Sequence, residues 1–364
     1  MRYYLDPHGC AKNQVDAENM MAALNAAGWS QAADPSAAEL CIVNTCGFIE
    51  SAKKESLDAV FSLRAAYPSA RILMAGCLAQ RYATDLKNDL PEVDAFFGNA
   101  DLSLVAQAAE EAVRGTHNVL VPPVDKSGRA DFSSCTDGRP LLSLPGSAYI
   151  KITEGCDNCC TYCAIPLIRG NLRSRPIDSI VAEAHGLLSR GVKELCLIGQ
   201  DLGSYGIDWG IADGNAKGEA KDDDCRLNDL LTALSGLEGD FWIRLLYIHP
   251  DRFPRTILET CARDPRILPY FDLPFQHASE RILRAMNRSG DAQTYLKLIA
   301  DIRAALPEAT IRSTFLVGFP GETEEDFNAL LDFQRKACID WLGAFTYSRE
   351  EGTVAYDMRG RVTK

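Results

Sequence analysis

The chain has 364 residues, 46% of them hydrophobic and 24% charged, enough for two domains that each bury a core. No apolar run approaches the ~18 residues of a membrane-spanning helix, and Met1-Arg2-Tyr3-Tyr4 does not open a secretory signal, so a cytoplasmic protein is expected. A net charge of −12 repels phosphate backbones, which argues against direct nucleic-acid binding and suits a basic protein partner.

Thirteen cysteines without an export signal point to metal or redox chemistry rather than to a disulfide framework. Over residues 1–120, three apolar stretches end alike. Tyr3-Tyr4-Leu5 leads to Gly9-Cys10, Leu40-Cys41-Ile42-Val43 to Asn44-Thr45-Cys46-Gly47, and Arg71-Ile72-Leu73-Met74 to Ala75-Gly76-Cys77. Each reads as a strand and a turn, followed by a helix over Gln14–Ala27, Ala52–Ala66 or Gln80–Asn88. Such alternation predicts a parallel βαβ domain, whose ligands gather at the carboxyl ends of the strands. Cys10, Cys46 and Cys77 fall there. They read either as ligands of a 4Fe-4S cluster or as buried core thiols, the reading that fits Cys41 inside its strand.

Residues 121–145, rich in Pro, Gly, Ser and Asp, read as a linker, with Cys135 a free thiol in it. Residues 146–350 alternate strand and helix again. A strand over Ala148–Thr153 runs into Gly155-Cys156-Asp157-Asn158-Cys159-Cys160-Thr161-Tyr162-Cys163. Cys156, Cys160 and Cys163 form C-x3-C-x2-C, and three thiolates so close can hold three corners of a 4Fe-4S cube while leaving one iron open. Two abutting C-x2-C pairs would also describe a zinc site, but such pairs normally stand a dozen or more residues apart.

A helix follows over Ile177–Leu188, then a strand over Glu194–Ile198 that ends in Gly199-Gln200-Asp201. The stretch Gly203–Asp224 is acidic and glycine-rich and predicts a mobile loop, with Cys225 as an exposed thiol behind it. Strands over Trp242–Tyr247, Tyr270–Leu273, Thr310–Val317 and Gly343–Tyr347 come next, with helices between them, one opened by a capping box at Thr323. Six strands predict a partial (β/α)6 barrel with its chemistry at the carboxyl ends. Residues 351–364 read as a C-terminal tail.

The whole chain resembles the methylthiotransferases, radical S-adenosylmethionine (SAM) enzymes with two clusters. The resemblance rests on Gly9-Cys10-Ala11-Lys12-Asn13, Asn44-Thr45-Cys46-Gly47-Phe48-Ile49, Gly76-Cys77-Leu78-Ala79-Gln80-Arg81-Tyr82, Cys156–Arg175, Gln276-His277 and Gly318–Thr323. Leu273-Pro274-Phe275-Gln276-His277 and Ala11-Lys12-Asn13 are similar to the branch that modifies an aspartate of small-subunit ribosomal protein S12, rather than the branch that modifies a tRNA adenosine. The resemblance implies an α/β fold, with an N-terminal βαβ domain and a radical SAM partial barrel. The small TRAM β-barrel with which the family normally ends is expected to be missing.

It further implies two 4Fe-4S clusters, one on Cys156, Cys160 and Cys163 for SAM cleavage and a second on Cys10, Cys46 and Cys77 for the methylthio group. An electron donor such as flavodoxin or ferredoxin is implied as well. Gly199, Gln200 and Asp201 correspond to positions that contact SAM, with Arg312 and Gly318 as further candidates. Arg169, Arg173 and Arg175 read as a basic patch beside the SAM cluster or as a solvated face. His249 and His277 read as site-lining or structural. A non-enzymatic iron–sulfur or zinc protein is the competing class, although electron carriers usually close their clusters with four protein ligands.

Overall fold

Short apolar strands, each followed by a helix, build two parallel sheets in the computed structural model, which describes residues 1–124, 138–210 and 226–362. The chain divides into two units. One comprises Met1–Ser143 with Ile165–Asn171, the other Leu144–Ala164 with Leu172–Lys364.

In the first unit β1 (Arg2–Pro7), β2 (Ser30–Gln31), β3 (Leu40–Thr45), β4 (Arg71–Gly76), β5 (Ala95–Phe97) and β6 (Asn118–Leu120) pair in the order β2-β1-β3-β4-β5-β6, all parallel. Every residue of β3 is buried, as a central strand covered on both faces requires. Its alternate side chains enter opposite cores. Leu40 and Ile42 pack with Tyr3, Met20, Leu24 and Trp29, while Cys41 and Val43 pack with Val60, Met74 and Phe96. The helices are α1 (Ala11–Ala26), α2 (Glu50–Ala66), α3 (Cys77–Asp89) and α4 (Val105–Arg114).

This sheet is larger than the three strands expected from the sequence. β2, β5 and β6 have two or three residues each, too few for an alternation of apolar and polar positions to register. α1 and α3 also begin earlier than expected, at Ala11 and Cys77. Gly76 makes the second start possible, because its φ of +93° turns the chain straight from strand into helix. The described end of the expected linker, 138–143, packs into this unit. Arg139, with no exposed surface, pairs with the equally buried Glu18 at 2.9 Å. Cys135 and Cys225 lie outside the described residues, as does most of the loop expected over Gly203–Asp224.

In the second unit β7 (Ser147–Lys151), β10 (Glu194–Ile198), β11 (Trp242–Leu245), β12 (Ile267–Asp272), β13 (Thr310–Val317) and β14 (Trp341–Thr346) follow one another in sequence order, all parallel. Sequential addition with helical crossovers is how a barrel wall is wound, and six strands leave it open at β7 and β14. A short antiparallel pair, β8 (Thr153–Glu154) with β9 (Arg173–Ser174), stands at the end of β7. Along the wall run α6 (Ile177–Ser189), α7 (Leu227–Ser235), α8 (Ile257–Arg263), α9 (Glu280–Ala285), α10 (Ala292–Ala305) and α11 (Glu324–Ala337), and the expected capping box at Thr323 opens α11. The segment expected as a tail is fastened down. Ala355 is buried and donates its amide to Thr161 O at 2.8 Å, and Gly360 O accepts from the Gly321 amide at 2.7 Å. Among the described residues, no helix is long and apolar enough to cross a membrane.

Candidate functional site

Two groups of three cysteines stand at strand ends, one group in each unit. In the first unit Cys10 follows β1 and precedes α1, Cys46 follows β3, and Cys77 is the first residue of α3 after β4. β1, β3 and β4 are adjacent in the sheet, so residues some thirty positions apart in sequence meet at one edge. Asn13 ties the three ends together. Its amide donates to His8 O (3.0 Å) and Thr45 O (2.8 Å), its own carbonyl accepts from Asn44 Nδ2 (2.7 Å), and its Oδ1 accepts from Cys77 Sγ at 3.1 Å. A Cβ on Gly47 would lie 2.7 Å from Cys77 O, and one on Gly9 would lie 3.1 Å from Cys46 Cβ, so these turns close only with glycine.

Burial pushes the Cys77 thiol up to about 12, and the neighbouring Cys46 and Cys10 add to the rise while Arg169 opposes it. Burial also raises Cys46. Cys10 keeps an exposed face although protein crowds it. Burial raises its thiol as well, but Lys12, Arg169 and the amides of Asn13 and Lys12 outweigh that and hold it below the ordinary value. Arg169, the last residue of α5 (Ile165–Arg169), is 4% exposed. Its Nη2 donates to Asp16 Oδ2 at 2.7 Å, Asn13 Oδ1 at 3.0 Å and Cys77 Sγ at 3.4 Å. Asn99 Nδ2 donates to the same sulfur at 3.3 Å.

In the second unit the loop from Gly155 to Cys163 leaves β8. It is clamped where α9 ends: the Thr161 amide donates to Met286 O (3.1 Å), Thr161 Oγ1 to Ala285 O (2.8 Å) and Asn287 Nδ2 to Cys159 O (3.1 Å). Cys159 is exposed, with a left-handed backbone (φ +51°) that re-aims the loop before Cys160. Burial raises the Cys156 thiol, with Asp201, Cys163 and Cys160 adding to it. Burial likewise raises Cys160, against the opposing charge of Arg288. Arg288 is 5% exposed and donates to Tyr162 Oη (3.3 Å) and Pro274 O (2.9 Å). His249 is held down to about 4, first by burial and then by Arg288.

The donor chemistry of both groups fits iron–sulfur clusters: three cysteines each, buried or crowded, with a cation alongside to compensate thiolate charge. Among the described residues no three His, Cys, Asp or Glu side chains are placed to hold a single metal ion. A cube binds each thiolate through a different iron, so its donors are spread apart rather than converging as they do around one zinc.

The remaining expected residues are placed as follows. Asp201 is 3% exposed and spends both oxygens inside the protein. Oδ1 accepts from the amides of Gly203 and His249 (2.9 Å each), and Oδ2 accepts from Ser204 Oγ (2.7 Å) and Asn158 Nδ2 (2.9 Å). Gly199 is a point of close approach, since a Cβ there would lie 2.2 Å from Thr153 Oγ1. Gln200, half-buried, follows it. Arg312 on β13 pairs with Asp272 on β12 at 2.7 Å. Gly318 (φ +76°) donates its amide to Glu322 Oε2 at 2.6 Å. Glu322 Oε1 in turn lies 3.7 Å from Nε2 of His277, which is fully buried. The three arginines near the cluster loop form no surface patch. Arg169 belongs to the first unit, Arg173 is buried in β9, and Arg175 pairs with Glu183. Asn13, Asn99 and Arg288 were not singled out from the sequence. Only the first lies in a recognisable motif; the other two owe their places to tertiary packing.

The fold and the loop at Cys156–Cys163 define a radical SAM enzyme. The Radical SAM superfamily matches residues 150–333, and the family described as Uncharacterized protein family UPF0004 matches residues 2–98. Such enzymes work with SAM and 4Fe-4S clusters. The chain is 48% identical to the ribosomal protein uS12 methylthiotransferase RimO of Treponema denticola, over 99% of this chain and 78% of that one. It is 44% identical to the RimO of Moorella thermoacetica, over 97% and 78%. In structure it is similar to the radical SAM methyltransferase TsrM of Kitasatospora setae, with a TM-score of 0.68 at 13% identity over 97% of this chain and 73% of that one, a likeness of fold. The chain belongs to the RimO family of radical SAM methylthiotransferases.

Proposed function

We propose that this enzyme adds a methylthio group to the β-carbon of an aspartate in ribosomal protein uS12. Cys156, Cys160 and Cys163 hold the cluster that serves SAM, and Cys10, Cys46 and Cys77 hold the second cluster. The observation that carries the reading is the pair of three-cysteine centres, each at the carboxyl edge of its own parallel sheet, in a chain 48% identical to a RimO along almost its whole length.

When bound, the Cys156/Cys160/Cys163 cluster and SAM supply the hydrogen abstraction that no side-chain base performs on a C–H beside a carboxylate. The chain's own residues do the positioning. Asp201 braces the cluster loop through Asn158, and Arg288 places a buried cation next to Cys160. Gly199, Gln200 and Asp201 follow the carboxyl end of β10 and Gly318 that of β13, where a bound SAM would be met, while Arg312 lies within β13, paired with Asp272 at the end of β12. The net charge of −12 suits a basic protein substrate. A low-potential carrier such as flavodoxin or ferredoxin supplies the electron, and a ribosomal substrate makes the enzyme cytoplasmic.

The test is anaerobic reconstitution followed by incubation with SAM, dithionite, sulfide and uS12, then mass spectrometry of uS12. The expected product is one aspartate carrying SCH3 in place of H. Formation of 5′-deoxyadenosine with uS12 unmodified overturns the substrate, and absence of 5′-deoxyadenosine overturns the radical reading.

A further inference from the structure

Arg169 sits in the wrong place for the patch its sequence neighbours promised. Its segment follows the SAM-cluster cysteines by a few residues, yet its guanidinium is buried among the cysteines of the first unit. It reaches Cys77 Sγ directly and is anchored from behind by the carboxylate of Asp16, which is 1% exposed. Cys77, as a thiol, donates to Asn13 Oδ1 at 3.1 Å. Once Cys77 is a thiolate that bond is gone, and Arg169 and Asn99 remain as the two donors aimed at its sulfur.

We propose that Arg169 is a positioning residue for the Cys10/Cys46/Cys77 centre, which sets the reduction potential of that centre through its charge and its hydrogen bond to Cys77. The proposal rests on these three cysteines being cluster ligands. Three thiolates on a 4Fe-4S core leave a net negative charge that one further electron increases. A buried cation therefore favours the reduced form, and the Asp16 carboxylate behind it tempers that effect.

The test uses the full-length protein with Cys160→Ala to silence the other cluster, reconstituted anaerobically. The remaining centre is titrated with dithionite through mediator dyes and followed by electron paramagnetic resonance; each centre takes one electron from dithionite. Arg169→Gln should lower the ratio of reduced to oxidised centre about tenfold at a fixed potential, equal to 59 mV for one electron. Asp16→Asn should shift it the opposite way, and Arg169→Lys should restore most of the loss. The double variant Asp16→Asn with Arg169→Gln avoids a stranded carboxylate and keeps the measurement possible if the single variant unfolds. Its potential should lie between those of Arg169→Gln and Asp16→Asn. If the centre loads in all these proteins and the potential does not move, Arg169 is only a structural ion pair. If Cys160→Ala protein with Arg169 intact takes up no iron, the assignment of the cysteines fails instead.

Discussion

Asn158 Nδ2 donates to Asp201 Oδ2 at 2.9 Å, which ties the middle of the cysteine loop to the end of β10. The same carboxylate caps the following turn through Gly203 and receives the His249 amide, so it serves three segments at once. Asp201→Ala leaves four donors without their acceptor, so the apo protein should lose roughly 2–4 kcal/mol of stability and the reconstituted protein its SAM cleavage. Asn158→Ala removes one bond, and a loss of about 1 kcal/mol is expected. Urea midpoints and 5′-deoxyadenosine chromatography would report both; an unchanged midpoint for Asp201→Ala would contradict the bracing role.

Gly47 offers a test confined to the first unit. A methyl group there would meet the backbone of Cys77 at 2.7 Å and of Leu78 at 2.9 Å, contacts that only a shift of α3 can relieve. Gly47→Ala should therefore cost at least 1–3 kcal/mol. Iron per chain after reconstitution should fall by one cluster's worth while SAM cleavage persists.

Under the proposed function the two cysteine groups divide the labour. Cys160→Ala should abolish both 5′-deoxyadenosine and methylthiolated uS12. Cys46→Ala should keep part of the first activity and none of the second. Equal loss of both in a folded Cys46→Ala protein would sink the division.

Acid sensitivity should concentrate at the start of α11. Burial would raise the Asp326 carboxyl, but hydrogen bonds from Ser279 Oγ, Thr323 and Arg281 overcome it and hold Asp326 at about 2. A folded value below the ordinary 3.8 means that the contribution is complete above pH ~4 and fades as pH falls toward 2. Arg281, the charged partner in this set, is itself exposed, so the expected size is roughly 1 kcal/mol. Asp326→Asn should lower stability at pH 7 and flatten its decline between pH 4 and 2, read from urea midpoints across that range.

Much of this was legible in the sequence because the cysteines occur where strand patterns stop. Gly-Cys after an apolar run marks a strand end, and parallel topology brings such ends to one edge. The partners of those cysteines were not legible. Arg169, Arg173 and Arg175 look like a solvated patch in one dimension, but they are 4%, 5% and 1% exposed. The carboxylate that neutralises Arg169 lies 153 residues earlier in the chain. No local pattern encodes such a pairing. Strands as short as Ala95–Phe97 escaped for a different reason, since three residues carry no period.

The short helix Ile165–Arg169 also limits how this enzyme can be divided. A fragment ending at Ser143 would contain Cys10, Cys46 and Cys77, yet it would take the Arg169 guanidinium away from the buried carboxylate of Asp16, a costly change. Trimming that helix from the remainder would cut the chain between Cys163 and Arg173. A cut anywhere between Ser143 and Ile165 therefore parts Arg169 from the carboxylate it pairs with.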